Sequence, residues 1–570
     1  MKKKMIIYQM FTRLFGNTTE NVIPDGDLSG NGVGKLNDIT AEALKSIRSL
    51  GSTHVWFTGV IEHATATDYS LYGIDKDNPY IVKGKAGSPY AIKDYYDIDP
   101  DLAVNVPGRM KEFEALVQRT HQQGLGVIID FVPNHVARHY VSDAKPAGVK
   151  DLGEDDDTSV HFSSRNNFYY IPRQELVPQF YVGEGKNAYH EYPAKATGND
   201  CFGAYPCKND WYETVKLNYG VDYMHGRHRV FDPIPDTWIK MLDILLFWSG
   251  KGVDAFRCDM AEMVPVQFWG WAIPKVKKQY PGILFIAEIY NQGEYRNYIH
   301  NGKFDYLYDK VGLYDTLKAV LCHNASASLL TQCWQSVDGI NHSMLNFLEN
   351  HDEQRFASPF FAGDAGKVLP ALVVSAMISV CPFMMYFGQE LGERGMDAEG
   401  FSGEDGRTTI FDYWTVPTIA RWNNKGKFNS AKLTAGEKKL RKLYQKVLLL
   451  CNKEDAISEG SFFDLMYVNY DNPDFNAHRQ FAFLRRGKKT LLVIVVNFSS
   501  RPVSVKVNIP AHAFSVMALQ EGIFKCEELL SGDEDTKKIY PDMPFETRVD
   551  AYGAVVWKAV QKNIGVEIKK

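Results

Sequence analysis

The feature that most constrains this chain is an alternation. Over the first 450 residues, short apolar runs suited to strands take turns with longer stretches carrying apolar residues at helical spacing. The candidate strands are IIYQMF (6–11), THVWFTGV (53–60), GVIIDFV (126–132), GVDAFRC (252–258), ILFIAEI (283–289), FDYLYD (304–309), MLNFLEN (344–350) and PFMMYFG (382–388). Between them lie DITAEALKSIRSLG, MKEFEALVQRTHQQG and PDTWIKMLDILLFWSGKG, the last stopping at glycine as helices do. Eight strand–helix units in series predict an α/β fold, a parallel (β/α)₈ barrel.

Two regions break the pattern. Residues 136–225, after the third strand, are rich in Asn, Asp, Gly, Tyr and Pro and lack a helical period. A structureless loop of that length is improbable inside a compact domain, so an inserted irregular subdomain is expected. From 456 onward the pattern becomes QFAFLRR, TLLVIVVNF, VSVKVNI and GAVVWKAV, predicting an antiparallel C-terminal β-sandwich. The expected domains are therefore 1–135 with 226–455 as barrel, 136–225 as insert, and 456–570 as the all-β unit, which is expected to cap the barrel.

Three candidate strands run into acidic residues: GVDAFRC into Asp259, ILFIA into Glu288, and MLNFLEN into His351 and Asp352. In such a barrel the carboxyl ends of the strands converge on one face. One such acid reads most simply as a helix cap or a solvated charge. Three, with Arg257 and His351 beside them, read as a site. Glycoside cleavage needs one carboxylate ionised to attack and another protonated for the leaving oxygen. Arg257 stands two residues before Asp259, so both side chains share a face, and a guanidinium there favours the ionised carboxylate. Glu288 follows an apolar strand, a setting that favours its protonated form.

The segments DFVPNH (130–135), GVDAFRCD (252–259), FIAE (285–288) and FLENHD (347–352) resemble, in order and on the third, fourth, fifth and seventh strands, the four signature stretches of the α-amylase family of glycoside hydrolases. The likeness extends to NGVGKLNDIT, WFTGV, SPYAIKDYYDIDP and YFGQELG, covering about residues 5–425. It implies that Asp259 is the nucleophile, Glu288 the general acid/base, and Asp352 a binder of ring hydroxyls that stabilises the transition state. It further implies that Arg257 positions the nucleophile, that His135 and His351 bond sugar hydroxyls, that Asp130 braces the site, and that Tyr90 stacks on the sugar. Many relatives hold calcium between barrel and insert, where Asn134 and Asn218 match ligands. Oxygen donors suit calcium, but two amides without a carboxylate make a poor cage. In the first loop, DLSGNGVGKLND, Lys35 stands where an acidic calcium ligand is usual, so no metal is expected at Asp27 and Asn31. The AEIY and VKLN segments look closer to neopullulanase-like, oligosaccharide-acting members than to secreted starch amylases.

The reading is hydrolysis of α-glucosidic bonds, mainly α-1,4, in malto-oligosaccharides or starch fragments, with no cofactor required. The same intermediate also supports transglycosylation or isomerisation. A non-catalytic glycan-binding protein on this fold would be expected to have lost a carboxyl, and all three are present. With 64 basic against 69 acidic residues and a net charge of −5, no nucleic-acid partner is indicated. No run approaches the roughly 20 apolar residues of a membrane span. The start, MKKKMIIYQMFTRLFG, has lysines before apolar residues but is broken at Gln9 and Arg13 without a cleavage site, so it reads as the first strand and the chain as cytoplasmic. The eight cysteines show no zinc spacing; Cys201 and Cys207 bracket a short loop and suit either a bridge or a reduced pair.

Overall fold

The computed structural model describes residues 3–401 and 403–561. All eight expected strands form: β1 (Ile6–Phe11), β2 (His54–Thr58), β3 (Gly126–Phe131), β4 (Ala255–Cys258), β5 (Leu284–Ala287), β6 (Tyr306–Tyr308), β7 (Met344–Phe347) and β8 (Phe383–Tyr386). They pair in parallel and close into a barrel, with β1 between β8 and β2. Apolar side chains on both faces bury nearly every strand residue, because helices cover the outside and packed side chains fill the inside.

The helices form where spacing predicts them. Ala41–Ser49 starts at Thr40, whose hydroxyl caps Ala43 N–H. Arg109–Gln122 buries Phe113, Leu116, Val117 and Thr120, and the chain then turns back at Gly124 in a left-handed conformation. Asp236–Gly250 buries Trp238, Met241, Ile244, Leu245 and Trp248, three and four residues apart.

Register fixes what faces the interior. Arg257 on β4 lies opposite Asp130 on β3, and opposite Ile286 on β5. Cβ atoms alternate along a strand, so Asp130, Arg257 and the residue two further on, Asp259, point the same way.

The inserted segment is irregular, as expected, with short pairs such as His135–Ala137 with Thr214–Lys216 and Tyr170–Ile171 with Ala194–Lys195. Ile171, Leu176, Ala194 and Ala204 give it a small core of its own. At the other end of the chain, a six-stranded antiparallel sheet runs in the order Ser461–Asp464, Gln480–Arg486, Thr490–Asn497, Gly553–Val560, Gly522–Glu528, Glu534–Ile539. Val503–Val507 pairs with Phe545–Val549 beside it. Two central strands, Gln480–Arg486 and Thr490–Asn497, are buried on both faces instead of alternating. Helix Leu369–Met377 explains part of this: it is buried all round, packed between β7 and the C-terminal sheet. The sheet thus covers a helix that solvent would otherwise meet.

Candidate active site

The backbone ladder of the barrel continues past the strand ends. Asp259 N–H donates to Phe131 O (2.9 Å) and Glu288 N–H to Cys258 O (3.1 Å), which fixes both acids at the rim. Met260 then takes a left-handed conformation, φ 42°, uncommon for a side chain of its size. That turn aims its N–H at Glu288 Oε2 (2.8 Å).

Arg257, 1% exposed, is the centre of the cluster. Its Nη1 lies 2.7 Å from Asp259 Oδ1 and 3.3 Å from Asp130 Oδ1, and its Nη2 lies 2.9 Å from Glu288 Oε2. Nε donates to the Tyr308 hydroxyl (3.2 Å). Trp56 Nε1–H donates to Asp130 Oδ2 (2.9 Å), so Asp130 is held from both sides. Across the cluster, Tyr90 and His351 stack at 5.1 Å and 24°. Gln9 Nε2–H donates to His351 Nδ1 (2.9 Å), which leaves Nε2 as the protonated nitrogen, 2.6 Å from the Tyr90 hydroxyl and 3.1 Å from Asp352 Oδ2.

Arg257 acts on Asp259 as the sequence predicts, while the setting of Glu288 departs from expectation. Burial pushes the Asp259 carboxyl up, Arg257 pulls it down and Glu288 pushes it up again, and the balance lies well above the ordinary carboxylate value. Arg257 thus favours the ionised Asp259 against the opposing effect of burial. Glu288 is not in an apolar setting: it is 2% exposed, yet Met260 N–H, Arg257 and the Tyr290 hydroxyl (2.7 Å) surround its oxygens. The strand before it is apolar; its own tip is not. Burial, and then repulsion from Glu288, push Asp352 to about 7, and burial pushes Asp130 to about 6. Repulsion between Asp259 and Asp352 adds to burial in opposing ionisation of the Asp259 carboxyl. The histidines are neutral: burial, then the Lys216 and Lys83 ammonium groups, take His135 to about 3, and burial with Arg257 takes His351 well below its usual value.

Tyr90, His135, Asp259, Glu288 and Asp352 line one cavity of about 320 Å³. Asp130, Arg257 and His351 brace those residues through the bonds above. A larger cavity of about 850 Å³, between Leu391, Arg421 and Leu440, holds none of these residues. The same small cavity is lined by Lys83, Ser88, Trp211, Glu213, Tyr290 and Phe411, none of which stands in a motif that assigns it a role. They come from loops and the insert, where no periodic pattern marks a residue that faces a ligand.

Asn134 and Asn218 do not fit a calcium ion. Asn134 Oδ1 accepts from Lys216 Nζ (2.7 Å), and that ammonium, 1% exposed, also meets Asp200 Oδ1 (2.6 Å). Asn218 Oδ1 accepts from Gly220 N–H (2.9 Å), while its amide donates to Ser163 O. Both oxygens already hold donors, and a fixed positive charge stands on the first. In the first loop Lys35 Nζ donates to Asp101 O, Asp27 caps Gly30, and Asn31 bonds Ile23 and Tyr413.

Comparison with known proteins places this geometry. The chain is 24% identical over 482 residues to alpha-amylase 3 of Dictyoglomus thermophilum, covering 80% of this chain and 79% of that one. It is 20% identical over 518 residues to a cyclomaltodextrinase of Thermoanaerobacter pseudethanolicus, covering 88% and 71%. Among solved structures, a noncanonic maltogenic alpha-amylase from Thermotoga neapolitana superposes with a TM-score of 0.63 at 19% identity, over 98% of this chain and 99% of that one. The family model for the alpha-amylase catalytic domain matches residues 9–442, about three quarters of the sequence, and the chain belongs to the alpha-amylase family.

Proposed function

We propose that the protein is a retaining glycosidase that cleaves α-glucosidic bonds, mainly α-1,4, in malto-oligosaccharides or starch-derived glucans. The observation that carries this is Arg257 hydrogen-bonded to Asp259 through one nitrogen and ion-paired with Glu288, 2.9 Å away, at the other. Neighbouring nitrogens favour the short carboxyl separation of a retaining pair, about 5–5.5 Å, over the wider inverting one. An Asp259 oxygen attacks the anomeric carbon while Glu288 gives its proton to the glycosidic oxygen, and the leaving chain departs. Glu288 then takes a proton from water, whose oxygen attacks the same carbon and frees Asp259. Asp352 and His135 bond ring hydroxyls, His351 holds Asp352 and Tyr90 in place, and Tyr90 supplies a stacking face.

Activity of this kind needs no cofactor. Eight free cysteines, Cys201 and Cys207 among them, support a reducing, cytoplasmic setting. Among the described residues no helix is long and apolar enough to cross a membrane.

Asp259→Ala tests the assignment: turnover of maltotriose should fall by at least about 10⁴-fold while binding, followed by calorimetry, survives. Unchanged turnover overturns the role of Asp259. The products of the wild-type enzyme decide the fate of the intermediate, since glucose and maltose mean water captures it and longer or rearranged sugars mean another sugar does.

A further inference from the structure

The two oxygens of Glu288 are gripped from different sides. Oε2 accepts from Met260 N–H (2.8 Å) and is ion-paired with Arg257 Nη2, 2.9 Å away. Oε1 has one hydrogen-bond partner among the described residues, the Tyr290 hydroxyl at 2.7 Å, and Tyr290 lines the same cavity. A carboxyl oxygen has more than one lone-pair direction, so a bond from Tyr290 leaves Oε1 room for the proton that a general acid delivers. Held at both oxygens, the carboxyl does not turn.

Where the Tyr290 hydroxyl stands depends on the residue after it. Asn291 N–H donates to Glu262 Oε2 (3.0 Å), a bond that spans 29 residues and joins the loop after β4 to the loop after β5. Between the same loops, Ala261 N–H donates to Glu288 O (3.2 Å) and Met260 N–H to Glu288 Oε2. The segment just past the nucleophile is thus stitched to the segment that carries the acid. The left-handed turn at Met260, φ 42°, followed by the short turn Ala261–Met263, puts Glu262 on that seam. Glu262 itself stands outside the cavity that holds Asp259, Glu288 and Asp352. Among the described residues its carboxylate makes this one hydrogen bond and no ion pair. It works on the chain as an acceptor, not on the reacting atoms as a charge.

We propose that Glu262 is a positioning residue for the general acid: by holding Asn291 it sets the Tyr290 hydroxyl on Glu288 Oε1 and so aims the acid's proton at the glycosidic oxygen. Without that hold the turn at 290–291 is free to shift, and Glu288 keeps its grip at Oε2 alone. This inference rests on the glycosidase reading above.

Two substrates separate proton delivery from everything else. Maltotriose expels a sugar that must be protonated, whereas α-maltosyl fluoride expels fluoride with little help from an acid. In Glu262→Ala and Tyr290→Phe, the maltotriose-to-fluoride ratio of kcat/KM should fall by about tenfold or more, since misplacing a reacting group by about 1 Å can cost about 10²-fold. Glu262→Gln, whose amide oxygen still accepts from Asn291 N–H, should keep the ratio within about twofold of wild type. The melting temperature of each variant verifies folding; Glu262→Met, which retains the side chain's length, takes the place of Glu262→Ala should that fail to fold. Equal losses on both substrates, or a ratio that falls by less than about threefold in a folded variant lacking the acceptor, overturn the proposal. So does a Gln variant no better than the Ala one. A wild-type protein that cleaves neither maltotriose nor the fluoride overturns the glycosidase reading, and the positioning role with it.

Discussion

Gln9 and His351 come from opposite ends of the catalytic region, yet one amide N–H fixes which imidazole nitrogen carries its proton toward Tyr90 and Asp352. Replacing Gln9 with leucine removes that donor and frees the ring to adopt the other tautomer. Such outer partners typically contribute about tenfold or more, so kcat/KM on maltotriose should drop by that factor at an almost unchanged melting temperature. An equal loss of stability would instead assign Gln9 to the core. The carboxyls, Arg257 and both histidines were legible in the sequence because each sits at a strand end inside a recognisable motif. In the sequence Gln9 is only a break in an apolar run, since nothing near it hints at a partner 342 residues away. The polar tip of Glu288 is hidden for a related reason: its strand neighbours are apolar, but its partners Tyr290, Met260 and Arg257 follow from the turn geometry.

The insert is tied to the barrel by Lys216, which reaches from a strand of the insert to Asn134 at the rim. Lys216→Met would leave Asn134 Oδ1 and Asp200 without their cation. Because Asp200 is 38% exposed, the loss should be modest, about 1–3 kcal/mol. It should be read as a lowered melting temperature with earlier proteolytic cleavage inside 136–225. Cleavage confined to the barrel would show that the ammonium does not hold the two together. The barrel elements were legible because helical and strand periods alternate cleanly. The internal pairing of the insert was not, since its ladders are two or three residues long and carry no period. The C-terminal strands were recognised as β, but double-sided burial of Gln480–Arg486 and Thr490–Asn497 depends on what covers the sheet.

The two large units meet at Arg485, 1% exposed, whose guanidinium donates to the carbonyls of Ile378, Ala456, Ile457 and Gly460 and, among the described residues, has no carboxylate partner. Arg485→Ala should cost about 3–5 kcal/mol, since four buried carbonyls lose donors at once, and calorimetry should show the whole molecule melting earlier. A second whole-molecule property comes from Glu399, 2% exposed and raised to about 9 by burial, then by neighbouring Asp397, Glu393 and Asp412. Between the unfolded value, about 4.3, and the native one, the folded protein keeps a proton that the unfolded chain has released. Stability from this group is therefore full below about pH 4 and declines as pH rises toward 9. Glu399→Gln, which stays neutral, should flatten that decline. Parallel wild-type and variant melting curves across the range would exclude it.

Lys216 has one more consequence. A bound ion obeys mass action: it is diluted, exchanged or stripped away, and the joint it makes fails with its supply. An ammonium tethered by its own backbone has no dissociation rate, so the seam at Asn134 is set during folding and does not depend on a supply of free metal ion.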